Sequence, residues 1–296
     1  MHDLHALKGC GTALVTPFQE DGLLDIPALK QFVAFQLESG IDFLVPCGTT
    51  GETPTLSPEE HLEVIRTVVD SVNGRVPVIA GAGGYDTREV INLAKEVASL
   101  GVDALLSVSP YYNRPSQEGI FRHYKAIAEA VDIPIVVYNV PGRTGSNILP
   151  DTLVRLSEIE NILGVKEASG NIAQIGEMAV KLPSRFKMIS GDDANTLPLI
   201  AYGGCGLISV ASNEIPAEMT RFTCLCLDGH FDEAVELYKK IYPLLVHNFV
   251  TVNPVPVKAA LAIMGKIREV YRLPLVPMES APRKKMEEIL RGLGVI

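Results

Sequence analysis

Short runs rich in Val and Ile recur roughly every 30 residues along this 296-residue chain, and that recurrence restricts its fold more than any other feature. The runs are TALVTPF (12–18), FLVPCG (43–48), VPVIAGAG (76–83), ALLSVSP (104–110), IPIVVYNVP (133–141), ILGVKEAS (162–169), KMISGDD (187–193) and GLISVASN (206–213). They are nearly continuous in apolar character rather than alternating, as strands are when both faces of a parallel sheet are covered. Helix signals fill the gaps. Ser57 with Glu60 forms a capping box, Pro58 suits the first helical position, and Leu62, Ile65, Val69 and Val72 make one stripe before Gly74. Asp86 with Glu89 repeats the device ahead of Val90, Leu93, Val97 and Leu100, and Gly101 supplies the C-terminal cap. Eight strand–helix units imply an α/β chain closed into a (β/α)8 TIM barrel over residues 1–225. A doubly wound sheet is the second choice, because such sheets usually have fewer strands and a nucleotide loop. Residues 226–296 hold helical stretches and no strand run, and read as a helical C-terminal extension.

Composition narrows the partners. Hydrophobic residues at 47% and charged ones at 21% describe a folded chain, and a net charge of -9 disfavours nucleic acid and anionic membrane. No basic start leads into a long apolar run, and no stretch is long enough to span a bilayer, so the expected location is the cytoplasm. Five scattered cysteines fit reduced thiols, and Cys224 with Cys226 lacks zinc-ligand spacing. Gly81-x-Gly83 is followed by Asp86 where a third glycine should stand, and no GxxxxGK occurs, so nucleotide binding lacks its phosphate loop. Asp192 and Asp193 have no companions for a metal shell and read as a helix cap. His61 and His123 fall within helices, as surface or packing residues.

In a barrel of this type the strand ends form one rim, and the loops leaving it build the active site. Those ends read Gly48-Thr49-Thr50-Gly51-Glu52, Tyr111-Tyr112-Asn113, Tyr138-Asn139-Val140-Pro141-Gly142-Arg143, Lys166-Glu167, Gly191-Asp192-Asp193 and Ile208-Ser209. Lys166 stands among Ile162, Leu163 and Val165, where burial would lower its pKa and leave a neutral amine able to attack a carbonyl carbon. Against this stands a strand-end lysine paired with Glu167 or reaching to water. The segment alone does not separate the two; the other strand ends favour the first. Gly-Thr-Thr-Gly can present N–H groups and two hydroxyls to a carboxylate, although on the motif alone an ordinary strand-to-helix turn is the better explanation. Tyr138 and Tyr112 are candidate proton carriers or core residues, and Arg143 is a candidate carboxylate grip or a solvated loop residue.

With GTTGE, SPYYNRP, YNVPGRT and VKEASG in this order, the sequence closely resembles the dihydrodipicolinate synthase (4-hydroxy-tetrahydrodipicolinate synthase) family, within the class I pyruvate aldolase and lyase superfamily. The resemblance covers essentially the whole chain. It implies a Schiff base between Lys166 and pyruvate, with Tyr138 as proton donor and acceptor. By the same match Thr49 and Tyr112 complete a relay, Tyr112 reaching into a neighbouring subunit. Thr50 would bind the pyruvate carboxylate, Ile208 would line the pocket with Gly191 nearby, and Arg143 would hold L-aspartate 4-semialdehyde. The implied assembly is a homotetramer built as a dimer of dimers, with no cofactor and no metal. Relatives that cleave N-acetylneuraminate or keto-deoxy sugar acids share the lysine and tyrosine but generally lack this arginine, so Arg143 discriminates. A small-ligand sensor on a degenerate barrel is the non-enzymatic alternative.

In members inhibited by lysine, the regulatory site resembles Thr53, Pro54, Pro58, His61, Tyr85, Glu89 and Tyr111 here. Pro58 and Tyr85 depart from the His and Asn typical of the sensitive type, and Glu89 also has a plain role in its capping box.

Overall fold

In the computed structural model, which describes residues 2–296, the apolar runs become eight parallel strands. They are β1 (Gly9–Ala13), β2 (Phe43–Val45), β3 (Ile79–Gly81), β4 (Ala104–Val108), β5 (Ile135–Asn139), β6 (Ile162–Glu167), β7 (Lys187–Ser190) and β8 (Gly206–Ser209). Each pairs with its sequence neighbours except across β2 and β3, and β1 pairs with β8. The remaining seam is joined where Leu44 N–H donates to Pro77 O at 3.0 Å and Gly81 N–H donates to Pro46 O at 2.9 Å. A sheet joined at that seam is the barrel that the eight runs imply.

The helices that follow the strands are α1 (Ile26–Glu38), α2 (Pro58–Val72), α3 (Thr87–Ala98), α4 (Gln117–Ala128), the single turn α5 (Pro141–Thr144), α6 (Pro150–Ser157), α7 (Ile172–Lys181), α8 (Thr196–Ala201) and α9 (Pro216–Leu227). The capping box of α2 forms as expected: Glu60 N–H donates to Ser57 Oγ at 3.2 Å, and Ser57 N–H donates to Glu60 Oε2 at 2.9 Å. Its buried face is rotated from the expected stripe, because His61, Val64, Ile65, Val68 and Val72 point inward while Leu62 and Val69 flank them. After the barrel come α10 (Phe231–His247), α11 (Val255–Ile263) and α12 (Ser280–Leu293), with α10 against α9 and α12 across α10 and α11.

β1 begins earlier than the TALVTPF run suggests, and residues 14–18 lie outside the strand. Its glycines hide it from a reading based on apolar runs. A Cβ on Gly11 would lie 2.0 Å from the Phe43 ring, so glycine is what lets β1 and β2 pack there.

Two apolar layers follow from strand alternation. Inside the barrel sit Ala13, Phe43, Val45, Ile79, Leu106, Val136, Leu163, Ile189 and Ile208, and a second, larger layer fills the space between strands and helices. Among the described residues no helix is long and apolar enough to cross a membrane.

Candidate active site

Lys166 lies near the C-terminal end of β6 and is only 6% exposed. Its inward aim depends on an irregularity in the ladder. Ile135 pairs with Ile162, but Val136 pairs with Gly164, so β6 carries one extra residue opposite β5. Such a bulge resets the alternation of faces. Leu163 and Lys166 therefore both point into the barrel, while Ile162 and Val165 join the outer layer. Glu167 faces away, its carboxylate accepting from Asn139 Nδ2 at 2.9 Å and from Ser169 N–H at 2.6 Å. The alternative pairing of Lys166 with its sequence neighbour is thus closed off.

On the neighbouring strand Tyr138 stands directly opposite Lys166, and Lys166 Nζ lies 4.3 Å from the centre of its ring. Burial draws the lysine pKa down to about 7; Asp193 works against that shift and Arg143 adds to it. Burial also raises the Tyr138 phenol, while Arg143 and the Thr49 hydroxyl pull it back. The pair is a poised amine beside a neutral phenol, the two protonation states that imine chemistry requires.

Close packing depends on Gly191, at the end of β7, because a Cβ there would sit 2.8 Å from Lys166 Cε. The Thr49–Gly51 turn is held from beneath. Thr53 Oγ1 donates to Cys47 O at 2.6 Å and to Gly48 O at 2.9 Å, and Thr16 Oγ1 donates to Gly51 O at 2.7 Å. These bonds leave Thr49 and Thr50 on the cavity wall. Arg143 projects from α5 at the mouth, its Nη2 3.4 Å from Asn253 O.

Lys166, Tyr138, Thr49, Thr50, Arg143 and Gly191 all line one cavity of about 140 Å³. A second space of about 230 Å³ adjoins it, and the two share Thr49, Tyr138, Val140 and Arg143. The amine faces the smaller space, and the larger one opens beside it past Tyr138 and Arg143, an arrangement with room for two reactants. Ile208 lies below, packed in the inner core, and Val210 takes a place on the wall. Tyr112 is elsewhere: it is 90% exposed at φ +70°, a left-handed conformation that tyrosine rarely adopts. Tyr111, not Tyr112, borders the second compartment.

The cap reading of the acidic pair holds for Asp192, which accepts from Ala194 N–H at 3.0 Å, but not for Asp193. The Asp193 carboxylate is buried and accepts from Val210 N–H at 3.1 Å and Ala211 N–H at 3.0 Å, fixing the loop after β8. Burial raises its pKa to about 6. Sequence reading also missed Asn253 and Phe249 on the cavity wall; Asn253 Nδ2 donates to Thr50 Oγ1 at 3.0 Å from the far end of the chain. Asn-Pro signals only a turn, and no spacing rule carries it back to Thr50.

Thr53, Pro58, His61, Tyr85, Glu89 and Tyr111 line a separate groove of about 500 Å³ beside the second compartment. His61 is buried there, its Nε2 2.8 Å from Gly81 O, and burial lowers its pKa. His123 is also buried and packs beside Tyr124, with Nδ1 2.9 Å from Thr87 Oγ1.

Known proteins resemble this chain along its whole length. The 4-hydroxy-tetrahydrodipicolinate synthase of Koribacter versatilis is 55% identical over 98% of this chain and 97% of its own. A dihydrodipicolinate synthase from Acinetobacter baumannii, solved in complex with pyruvate, superposes with a TM-score of 0.96 at 42% identity, covering 98% of this chain and 99% of that one. Another, from Cyanidioschyzon merolae with lysine bound, gives a TM-score of 0.96 at 40% identity over 99% of this chain and all of the other. The model of the Dihydrodipicolinate synthetase family matches residues 6–293, and with relatives this similar from end to end the chain belongs to that family.

Proposed function

We propose that Lys166 is the covalent centre of this enzyme, forming a Schiff base with pyruvate. The chain is a lyase that condenses pyruvate with L-aspartate 4-semialdehyde to give 4-hydroxy-tetrahydrodipicolinate, in lysine and diaminopimelate biosynthesis. The single observation that supports Lys166 is its placement: a buried amine across from Tyr138, in a cavity whose other walls supply hydroxyls and one guanidinium.

Lys166 Nζ attacks C2 of pyruvate, its proton and one from the relay pass to the carbonyl oxygen, and water leaves as the iminium forms. The iminium nitrogen draws electrons from C3, so a methyl proton departs to the Tyr138 side and an enamine results. C3 then bonds to the aldehyde carbon, whose oxygen takes a proton back. Finally the amine of the semialdehyde displaces Lys166 at C2, closing the ring and freeing the lysine. The electron sink is the lysine nitrogen itself, so the sequence of steps calls on no external cofactor. Thr50 fits the pyruvate carboxylate, Thr49 links to Tyr138, and Arg143 fits the carboxylate of the second substrate. Ile208 backs the pocket from below, and Gly191 keeps the space beside the lysine open.

Tyr112 completes the relay only from another subunit. An exposed tyrosine held at positive φ is strained by about 1–3 kcal/mol, which docking into a neighbour would offset. A homotetramer made as a dimer of dimers supplies that neighbour. Within each chain, residues 1–225 act as the catalytic barrel and 226–296 as a helical extension, the line passing through the last turn of α9. The cytoplasm suits five separate thiols and two small, soluble substrates.

A second reading concerns regulation. Thr53, His61, Glu89 and Tyr111 form, with Tyr85, a groove sharing Thr53 and Tyr111 with the substrate compartment, which suits feedback by lysine. Saturating lysine that leaves the rate unchanged would remove this reading. The main test is the rate of condensation measured beside cleavage of N-acetylneuraminate and of a keto-deoxy sugar acid. Condensation should dominate; faster cleavage would reduce Arg143 to a loop residue.

A further inference from the structure

The loop that carries Thr49 and Thr50 ends at Glu52, and Glu52 is unusual in three respects. It is 2% exposed, its backbone is left-handed at φ +54°, and its carboxylate meets a lysine more than two hundred residues away. That partner is Lys258 on α11, fully buried, with its ammonium 4.3 Å from the centre of the Phe18 ring and 5.4 Å from that of Tyr271. The second carboxylate oxygen of Glu52 accepts from Arg272 N–H at 3.3 Å. The Arg272 guanidinium then crosses the next stretch of the loop, donating to Thr55 O and to Glu60 Oε2, each at 2.7 Å, and to Gly22 O at 2.8 Å. Ahead of Glu52, Asn253 holds the Thr50 hydroxyl. The C-terminal segment therefore grips the loop on both sides of Glu52.

A three-residue 3-10 turn cannot hold two hydroxyls in place by itself. Buried ion pairs are also poor stabilisers, since apolar residues of similar volume often serve as well. A charged pair at this position is better explained by direction than by stability: its hydrogen bonds fix where the loop points. We propose that Glu52, Lys258 and Arg272 are positioning residues, through which the C-terminal helices set Thr49 and Thr50 for pyruvate. The proposal rests on the assignment of Thr50 to the pyruvate carboxylate. Neither Glu52 nor Lys258 lines the cavity.

The test compares wild type with Glu52→Gln/Lys258→Met, which removes both charges together and leaves no unpaired one. Melting temperature, the KM for pyruvate, and borohydride trapping of the pyruvate adduct at low and saturating pyruvate are measured. A merely structural pair would change melting and leave KM alone. The expected result is near wild-type melting with the pyruvate KM raised roughly tenfold or more, the loss that a misplaced hydrogen bond to a charged group produces. Trapping should be weak at low pyruvate and recover at saturation. A wild-type KM in the folded double variant overturns the proposal. Should that variant not fold, Arg272→Met takes its place, with the same KM reading deciding. Absence of any adduct in the wild type would instead sink the Schiff-base reading, so the two failures are distinct.

Discussion

Raising the pH should switch Lys166 on and then have no further effect. At the ordinary lysine value of 10.5 only a few amines in ten thousand are neutral near pH 7, whereas at about 7 half are, a gain of roughly a thousandfold in nucleophile. The direction follows from burial: desolvation penalises the ammonium, and Arg143 adds repulsion that Asp193 only partly offsets. Between about pH 6 and about pH 8 the neutral fraction rises from near one tenth to near nine tenths. The rate of imine formation at low pyruvate should therefore climb about ninefold over that range and level off above it. Asp193, at about 6, acts on the same lysine, so the two titrate as a coupled pair and the lower limb will be broadened. The Tyr138 phenol lies above this window and should add no step to it. Rapid-quench trapping with borohydride and labelled pyruvate reads the rate directly. A climb of tenfold per pH unit that continues to about pH 10 would mean an ordinary exposed amine and rule out a lysine held down by burial.

Arg143→Ala should leave imine trapping intact and lower kcat/KM for the semialdehyde by about 10- to 100-fold, the loss of a charged hydrogen bond; steady-state kinetics beside trapping checks both halves. Gly191→Ala pushes a methyl into Lys166 Cε and should slow imine formation at least tenfold while the chain stays folded, which circular dichroism and trapping together would reveal. Lys166→Met should stabilise the chain. Because the folded pKa lies below the unfolded one, the wild type carries a penalty of about 3–5 kcal/mol that is full below about pH 7 and fades as pH rises toward about 10.5. The gap in denaturant midpoint between variant and wild type should therefore narrow from neutral to alkaline pH, and a gap that widened would contradict the shift.

The barrel was readable because parallel strands covered on both faces leave unbroken apolar runs, and these mark seven of the eight strands closely. β1 was blurred because Gly9 and Gly11 serve close packing and carry no apolar signal. Lys166 announced itself as a charge inside such a run, but the bulge that turns it inward did not, since an extra residue in a ladder is visible only against its partner strand. Asp193 looked like its neighbour Asp192 and differs only in which side of the turn it faces. Asn253 and Lys258 lay beyond reach for another reason: their partners Thr50 and Glu52 are 203 and 206 residues away, and local pattern holds no trace of such pairings.

Whether Lys166 carries the chemistry is decided by reducing the enzyme with borohydride in the presence of pyruvate, digesting it, and locating the adduct by mass spectrometry. The reduced pyruvate mass should fall on the peptide containing Lys166, with no adduct and no condensation in Lys166→Ala. An adduct on another lysine, or condensation that survives the loss of Lys166, would contradict that assignment.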